Sequence, residues 1–325
     1  MSPPPRPASP APRLLDPFTL GTACGLASAV IYTAANSFLR AASDCDPVWV
    51  SAVKAVPTVL LMVPWLALLV RGGHRLAPSW RILAMTAAAG LGGQLVGNVS
   101  FQWALGQVGL ALTASLNLGG MIVAAAILGR VFLHEPVTSR AAVSLALLLA
   151  AIAVLALGAG DAQRSVTAIA PTWRQIAMGV GAGCLSGLAY AILNVVIRYG
   201  VVRGMPLPTT LFVVAFMGLV SLSLVSWLRI GGAGMAATAP HDLAMMLLAG
   251  VCNSLAFLAL TKSLQLTSVV YVNALNATQA TLAALAGVLI FREAASPWLL
   301  AGVGLTIAGL LLLTRTRQTV VVPES

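Results

Sequence analysis

The sequence predicts an all-α integral membrane protein of ten transmembrane helices in two inverted five-helix repeats. Three observations predict it: long uncharged apolar runs cover most of the chain, polar residues recur at one fixed offset, and basic residues divide unevenly between the two sides that the runs define. Only 8% of residues are charged, 59% are hydrophobic and mean hydropathy is +0.96. A soluble domain carries about a quarter charged residues, so lipid rather than water is the solvent for most of this surface.

Uncharged runs occupy 17–39, 82–129, 141–160, 175–197, 204–228, 243–261, 263–291 and 294–314, and a further run, 47–70, is broken only by Lys54. A helix needs about 20 largely apolar residues to cross a bilayer, so each run holds one span except 82–129, which is long enough for two. Gly106-Gln107-Val108-Gly109 interrupts that run with two glycines and an amide, the chemistry of a hairpin. The expected spans are 18–39, 48–70, 82–104, 110–129, 141–158, 175–197, 208–228, 243–261, 269–290 and 297–314. Strands are not expected, since barrel strands alternate polar and apolar residues and these runs do not. Residues 1–17 form a proline-rich tail expected to be disordered and cytoplasmic, with 18–158 the first repeat, 159–174 a linker, 175–315 the second repeat and 316–325 a second cytoplasmic tail. The opening residues do not resemble a secretory signal, so the first span is expected to remain in place.

The duplication is carried by polar residues. Ser28, Tyr32, Asn36 and Arg40 match Ser186, Tyr190, Asn194 and Arg198, each pair 158 apart, as in 186 − 28. Gly21 and Gly25 likewise match Gly179 and Gly183, and Glu135 matches Glu293. Five spans per copy is an odd number, so the second copy enters the membrane from the opposite side. With the amino terminus in the cytoplasm, twelve basic residues outside Lys54 fall on the cytoplasmic side (Arg6, Arg13, Arg71, Arg75, Arg81, Arg130, Arg140, Arg198, Arg203, Lys262, Arg315 and Arg317). Five fall opposite (Arg40, Arg164, Arg174, Arg229 and Arg292). That bias places both termini in the cytoplasm of a multi-pass protein of the cell (inner) membrane. It also accounts for the net charge of +10 without nucleic acid, for which the chain offers no soluble basic domain.

Inverted repeats give a molecule two nearly equivalent shapes, one open to each side, around a site near the repeat interface. Ala114-Ser115-Leu116 leads through an apolar run to Phe132-Leu133-His134-Glu135, and Ser268 leads through another to Phe291-Arg292-Glu293, each followed by a further span. In these motifs the halves resemble the EamA-type members of the drug/metabolite transporter (DMT) superfamily, over about 18–315. The resemblance implies transport by alternating access, with cargo among amino acids and related metabolites, nucleotide sugars, sugar phosphates and drugs. It also implies peripheral fifth and tenth helices. The chain departs from the family where a proline often interrupts the fourth and ninth helices. The sequence there reads Asn117-Leu118-Gly119-Gly120-Met121 and Asn276-Ala277-Thr278-Gln279. It also has Lys54 where many relatives carry arginine, and Phe212 at the matching position of the second half.

Residues four apart share a helical face with about 40° of drift, so Ser28, Tyr32 and Asn36 form a polar stripe roughly 12 Å long, with Ser186, Tyr190 and Asn194 as its twin. In hydrocarbon such groups need partners. Interhelical hydrogen bonding and the lining of a wet cavity both satisfy that need; retention of the whole stripe in both copies favours the cavity. Gln94, Asn98 and Gln102 repeat the spacing in the third span, and Asn253 aligns with Asn98 at an offset of 155, from 253 − 98. Asn273, Asn276 and Gln279 recur every three residues in the ninth, and Ser115 and Asn117 stand in the fourth. Lys54 is the only charge well inside a span; it either snorkels to the interface or supplies a fixed positive charge for a carboxylate or phosphate. The expected substrate-binding set is therefore Ser28, Tyr32, Asn36, Lys54, Gln94, Asn98, Ser186, Tyr190, Asn194, Asn253, Asn273 and Asn276.

Every Asp and Glu falls in an end, loop or tail, which argues against tight proton coupling and for facilitated diffusion or exchange. Glu135 and Glu293 are expected to hold helix ends or basic side chains. His74, His134 and His241 are isolated, and Cys24, Cys45, Cys184 and Cys252 lack ligand spacing, so neither catalysis, a metal nor a cofactor is expected. The reading is a secondary transporter or facilitator of small organic metabolites, amino-acid-like solutes favoured, with metabolite efflux as its role. The expected partners are that substrate and the lipid bilayer, with a homodimer admitted. A lipid, amphiphile or drug translocator and a non-transporting membrane assembly protein are the rivals.

Overall fold

The computed structural model describes residues 16–132, 139–167, 172–276 and 278–314. Glu135 and most of both expected tails lie outside the described residues. The elements are α1 (Pro17–Ala41), α2 (Pro47–Arg71), α3 (Trp80–Gly92), a π-helical turn (Gly93–Asn98) and α4 (Val99–Phe132). They continue with α5 (Ser139–Thr167), α6 (Trp173–Val202), α7 (Leu207–Ala236), α8 (Pro240–Leu266), α9 (Val269–Asn276), α10 (Thr278–Leu289) and α11 (Pro297–Thr314). No strand occurs among the described residues.

Helix starts are written locally. Asp16 Oδ1 accepts the N–H groups of Phe18 at 2.7 Å and Thr19 at 3.0 Å, and Asp46 does the same for Val48 at 2.9 Å and Trp49 at 3.1 Å. In both cases the next residue is proline, which has no N–H to leave unpaired at the first helical position. Thr172 and Gln175 close a reciprocal capping box at the head of α6.

Six helical stretches are long and apolar enough to cross a membrane, and Ala146–Gly158, Thr278–Leu289 and Pro297–Gly309 are shorter apolar helices. Among the described residues these make nine segments rather than the expected ten, because Trp80–Ala124 counts as one helical stretch of 45 residues across its kink. Within it Gly109 leaves the helical region at φ 79° and ψ 179°, inside the expected hairpin. That conformation is essentially restricted to glycine. α5 continues to Thr167, into the expected linker 159–174, and α7 continues past a break at Gly231 (φ 66°) to Ala236. Hydropathy marks where the apolar solvent ends, whereas the backbone ladder continues until a residue breaks it.

α1 packs on α8, α2 on α7 and α8, α4 on α6, and α5 on α11. Glycines allow the first and third of these approaches. A methyl group on Gly21 would lie 2.7 Å from Thr267 Cγ2, and one on Gly183 would lie 3.0 Å from Leu116 Cβ. Leu60, Leu68, Leu157, Leu228 and Leu289 remain exposed on the outside, an apolar exterior of the kind lipid covers.

Glu293 ties three elements together, as one of its expected roles required. Its carboxylate accepts the N–H groups of Leu110 at 2.7 Å and Ala111 at 3.0 Å, directly after Gly109, and Arg40 Nε at 3.1 Å. Negative charge at a newly starting helix satisfies donors that the helix itself leaves unpaired.

Candidate functional site: a polar cavity at the centre of the bundle

A cavity of about 120 Å³ lies among the helices, more than a single water requires. Tyr32 and Asn36 reach it from α1, Lys54 from α2, Gln94 and Asn98 from the π-helical turn, and Asn117 from α4. Tyr190 and Asn194 reach it from α6, Asn253 from α8, Asn276 from α9 and Gln279 from α10. Apolar walls come from Phe101, Leu118, Met121, Leu193, Val214, Phe257 and Leu260. Among the described residues neither α5 nor α11 contributes to the lining.

Nine of the twelve expected site residues therefore meet in one space. Ser28 and Ser186 do not line it: both are fully buried, and each braces an asparagine that does. Ser28 Oγ donates to Asn276 Oδ1 at 3.2 Å. Ser186 Oγ lies 2.8 Å from Asn117 Oδ1 and 2.7 Å from the Gly183 carbonyl, two acceptors for one proton. The short serine side chains end inside the helix contacts that Gly25 and Gly187 permit, so only their longer partners reach the cavity. The side chain of Asn273 lies outside the described residues.

One wall is a continuous hydrogen-bonded chain. Lys54 Nζ donates to Asn98 Oδ1, Tyr190 Oη donates to the same oxygen at 2.5 Å, and Asn98 Nδ2 donates to Gln94 Oε1. Gln94 Nε2 in turn points to the Val214 carbonyl at 3.4 Å. Lys54 is only 6% exposed, which rules out the snorkelling alternative: its ammonium faces the interior. Opposite, Asn276 Oδ1 also accepts Gln279 Nε2 at 3.0 Å.

Gln102 leaves the stripe that spacing assigned it. Its amide reaches the Leu39 carbonyl at 3.1 Å, away from the cavity. The cause is the π-helical turn, whose i→i+5 bonding rotates the residues after it relative to a regular helix. Nothing in the spacing of Gly93-Gln94-Leu95-Val96-Gly97-Asn98 announced that turn, although its two glycines pack against α6, where a methyl on Gly97 would lie 3.0 Å from Tyr190 Cε1. Asn117 and Gln279 stood outside the expected site set. Asn117 is one residue away from the strict repeat offset, since 276 − 117 is 159, and matching at 158 passes over it.

Apolar helices around a cluster of amides, phenols and one lysine define a multi-pass membrane protein with a polar cavity. Residues 177–315 match the model of the EamA-like transporter family. A solved crystal structure resembles the chain with a TM-score of 0.63 over 91% of this chain and 96% of that one, at 14% identity. At that identity the likeness concerns the fold alone. No curated protein matches the sequence.

Proposed function

We propose that the chain is a secondary transporter, facilitating or exchanging small organic metabolites, amino-acid-like solutes among them, across the inner membrane by alternating access. The observation that carries this reading is the cavity itself, lined with polar groups from both halves of the sequence. Water and a small hydrophilic solute are the occupants such a lining stabilises, since buried amides need partners.

Two further features support two inverted repeats of five crossings each, with Gly109 dividing the third crossing from the fourth; for both termini in the cytoplasm the support is the basic-residue bias of the sequence. The Ser28–Asn276 bond runs from the first half to the second, and the Ser186–Asn117 bond runs back. The helix contacts repeat the exchange: α1 packs on α8 while α6 packs on the π-helical turn and α4, and α2 packs on α7. Paired halves of this kind can rock about a site held between them.

Counterflow in proteoliposomes tests the reading. Vesicles preloaded with pooled amino acids, organic acids or nucleotide-linked sugars should take up trace labelled solute from one pool saturably, and Asn98→Ala or Asn253→Ala should abolish the uptake. Folded protein that exchanges no pool would sink the proposal and shift weight to lipid translocation.

A further inference from the structure

We infer that the cargo carries a carboxylate and that Lys54 is the residue that pairs with it. The inference rests on the transport reading above and deepens it. Among the described residues Lys54 is the only charged side chain lining the cavity. Among the described residues the ion pairs are Arg40–Glu293, Asp161–Arg164 and Asp46–Arg229, and none involves a cavity residue. An ammonium buried in a membrane protein is retained at a cost unless an anion or a polar site answers it. The protein answers with one amide oxygen, that of Asn98.

That oxygen has no capacity to spare. Tyr190 Oη donates to it as well, so both of its lone pairs are engaged, and the amide cannot turn round because Asn98 Nδ2 is held by Gln94. Lys54 keeps two further protons for an acceptor in the cavity. The other polar lining groups are the amides of Asn36, Asn117, Asn194, Asn253, Asn276 and Gln279 and the phenols of Tyr32 and Tyr190, all uncharged. Among the described residues the lining thus offers one basic group and no acidic one, which favours a singly charged oxyanion over a cationic solute.

The backbone that carries Lys54 is braced from behind. Gly250 on α8 packs on the backbone of α2, where a methyl would lie 2.6 Å from the Lys54 carbonyl and 2.8 Å from Pro57 Cδ. Asn253 follows three residues later on α8 and lines the same cavity, so a carboxylate on Lys54 has in that cavity a neutral amide whose Nδ2 can donate to its remaining lone pairs. The second half supplies no matching cation, since Phe212 occupies the repeat position and stacks on Phe216 at 5.4 Å. One cation in about 120 Å³ suits a carboxylate better than a doubly charged phosphate ester.

The test compares acids with their own primary amides. Wild-type protein in proteoliposomes is assayed for counterflow of pooled labelled amino acids and 2-hydroxy acids, with the matching carboxamides as competitors. The acids are expected to compete roughly ten- to hundredfold better than the amides, the usual loss for a charge-assisted hydrogen bond. Lys54→Gln should erase that preference and Lys54→Arg should retain most of it. Each preference is a ratio within one protein, so a smaller folded fraction does not alter it, and the wild-type comparison needs no variant at all. Amides competing as well as acids in the wild type, or a full acid preference surviving Lys54→Gln, would overturn the inference while leaving transport intact. Counterflow of neither class nor of any other pool would remove the transport reading itself, and this inference with it.

Discussion

The carboxylate of Glu293 and the guanidinium of Arg40 meet at 3.1 Å with both side chains largely withdrawn from solvent, 4% and 14% exposed. The same carboxylate holds the first two N–H groups after Gly109, so one side chain joins the end of α1, the break within α4 and the turn before α11. Arg292, at φ 54°, supplies the left-handed turn that aims it.

Removal of that carboxylate should therefore destabilise the bundle more than loss of a surface pair. Glu293→Ala leaves a guanidinium and two backbone donors without their acceptor, a loss of about 3–5 kcal/mol by analogy with broken buried pairs. Glu293→Gln, which keeps one acceptor oxygen, should lose less. Thermal unfolding of purified protein in detergent measures both, and a Glu293→Ala melting curve superimposable on the wild type would refute the role.

Gly109→Ala should act on the same joint by a different route. Alanine at φ 79° and ψ 179° is strained by about 1–3 kcal/mol, and its methyl would also lie 2.6 Å from the Glu293 carboxyl carbon. The expected result is a lower melting temperature together with faster proteolysis around residues 106–109. Unchanged protease resistance would argue against a required break at this position.

Gly187 and Gly181 lie on one helix and should respond oppositely to alanine. A methyl on Gly187 meets the Asn117 carbonyl and the Met121 nitrogen, backbone atoms that cannot swing aside, whereas nothing lies within 4 Å of one on Gly181. Gly187→Ala is expected to cost about 1–3 kcal/mol through overpacking. Gly181→Ala should be neutral or stabilising by up to about 1 kcal/mol from helix propensity. Paired melting curves decide it, and equal shifts for the two variants would contradict the close α4–α6 approach.

Ser28→Ala and Ser186→Ala should impair the cavity without exposing anything new to it. Each removes the donor that orients one lining asparagine, Asn276 or Asn117. Polar bonds between membrane helices average about 0.6 kcal/mol, so small stability losses are expected, with a larger relative rise in the KM of counterflow than fall in its maximal rate. A double-mutant cycle of Ser186→Ala with Asn117→Ala checks the pair. Additivity within error would show that the two side chains act independently.

Features that depend on local chemistry were legible from the order of residues. Charge-free runs specified the apolar solvent, Asp16-Pro17 and Asp46-Pro47 specified where helices begin, and Gly109 marked a break that only glycine tolerates. Internal repetition of Tyr32 and Asn36 in Tyr190 and Asn194 singled out side chains that do share one cavity, because lipid penalises unpartnered polar groups wherever they stand. Tertiary structure alone decided which polar groups reach that cavity and which stop short in a helix contact. Ser28 and Ser186 have the same spacing as their neighbours but end on Asn276 and Asn117, partners 248 and 69 residues away in the chain. Gln102 was turned from the stripe by a π-helical turn, a change of backbone bonding that side-chain periodicity does not encode. Whether Lys54 snorkels or points inward was likewise settled by Asn98 on a neighbouring segment. Solvent preference and helix starts are properties of adjacent residues, whereas the face a side chain presents depends on how whole helices rotate and approach one another.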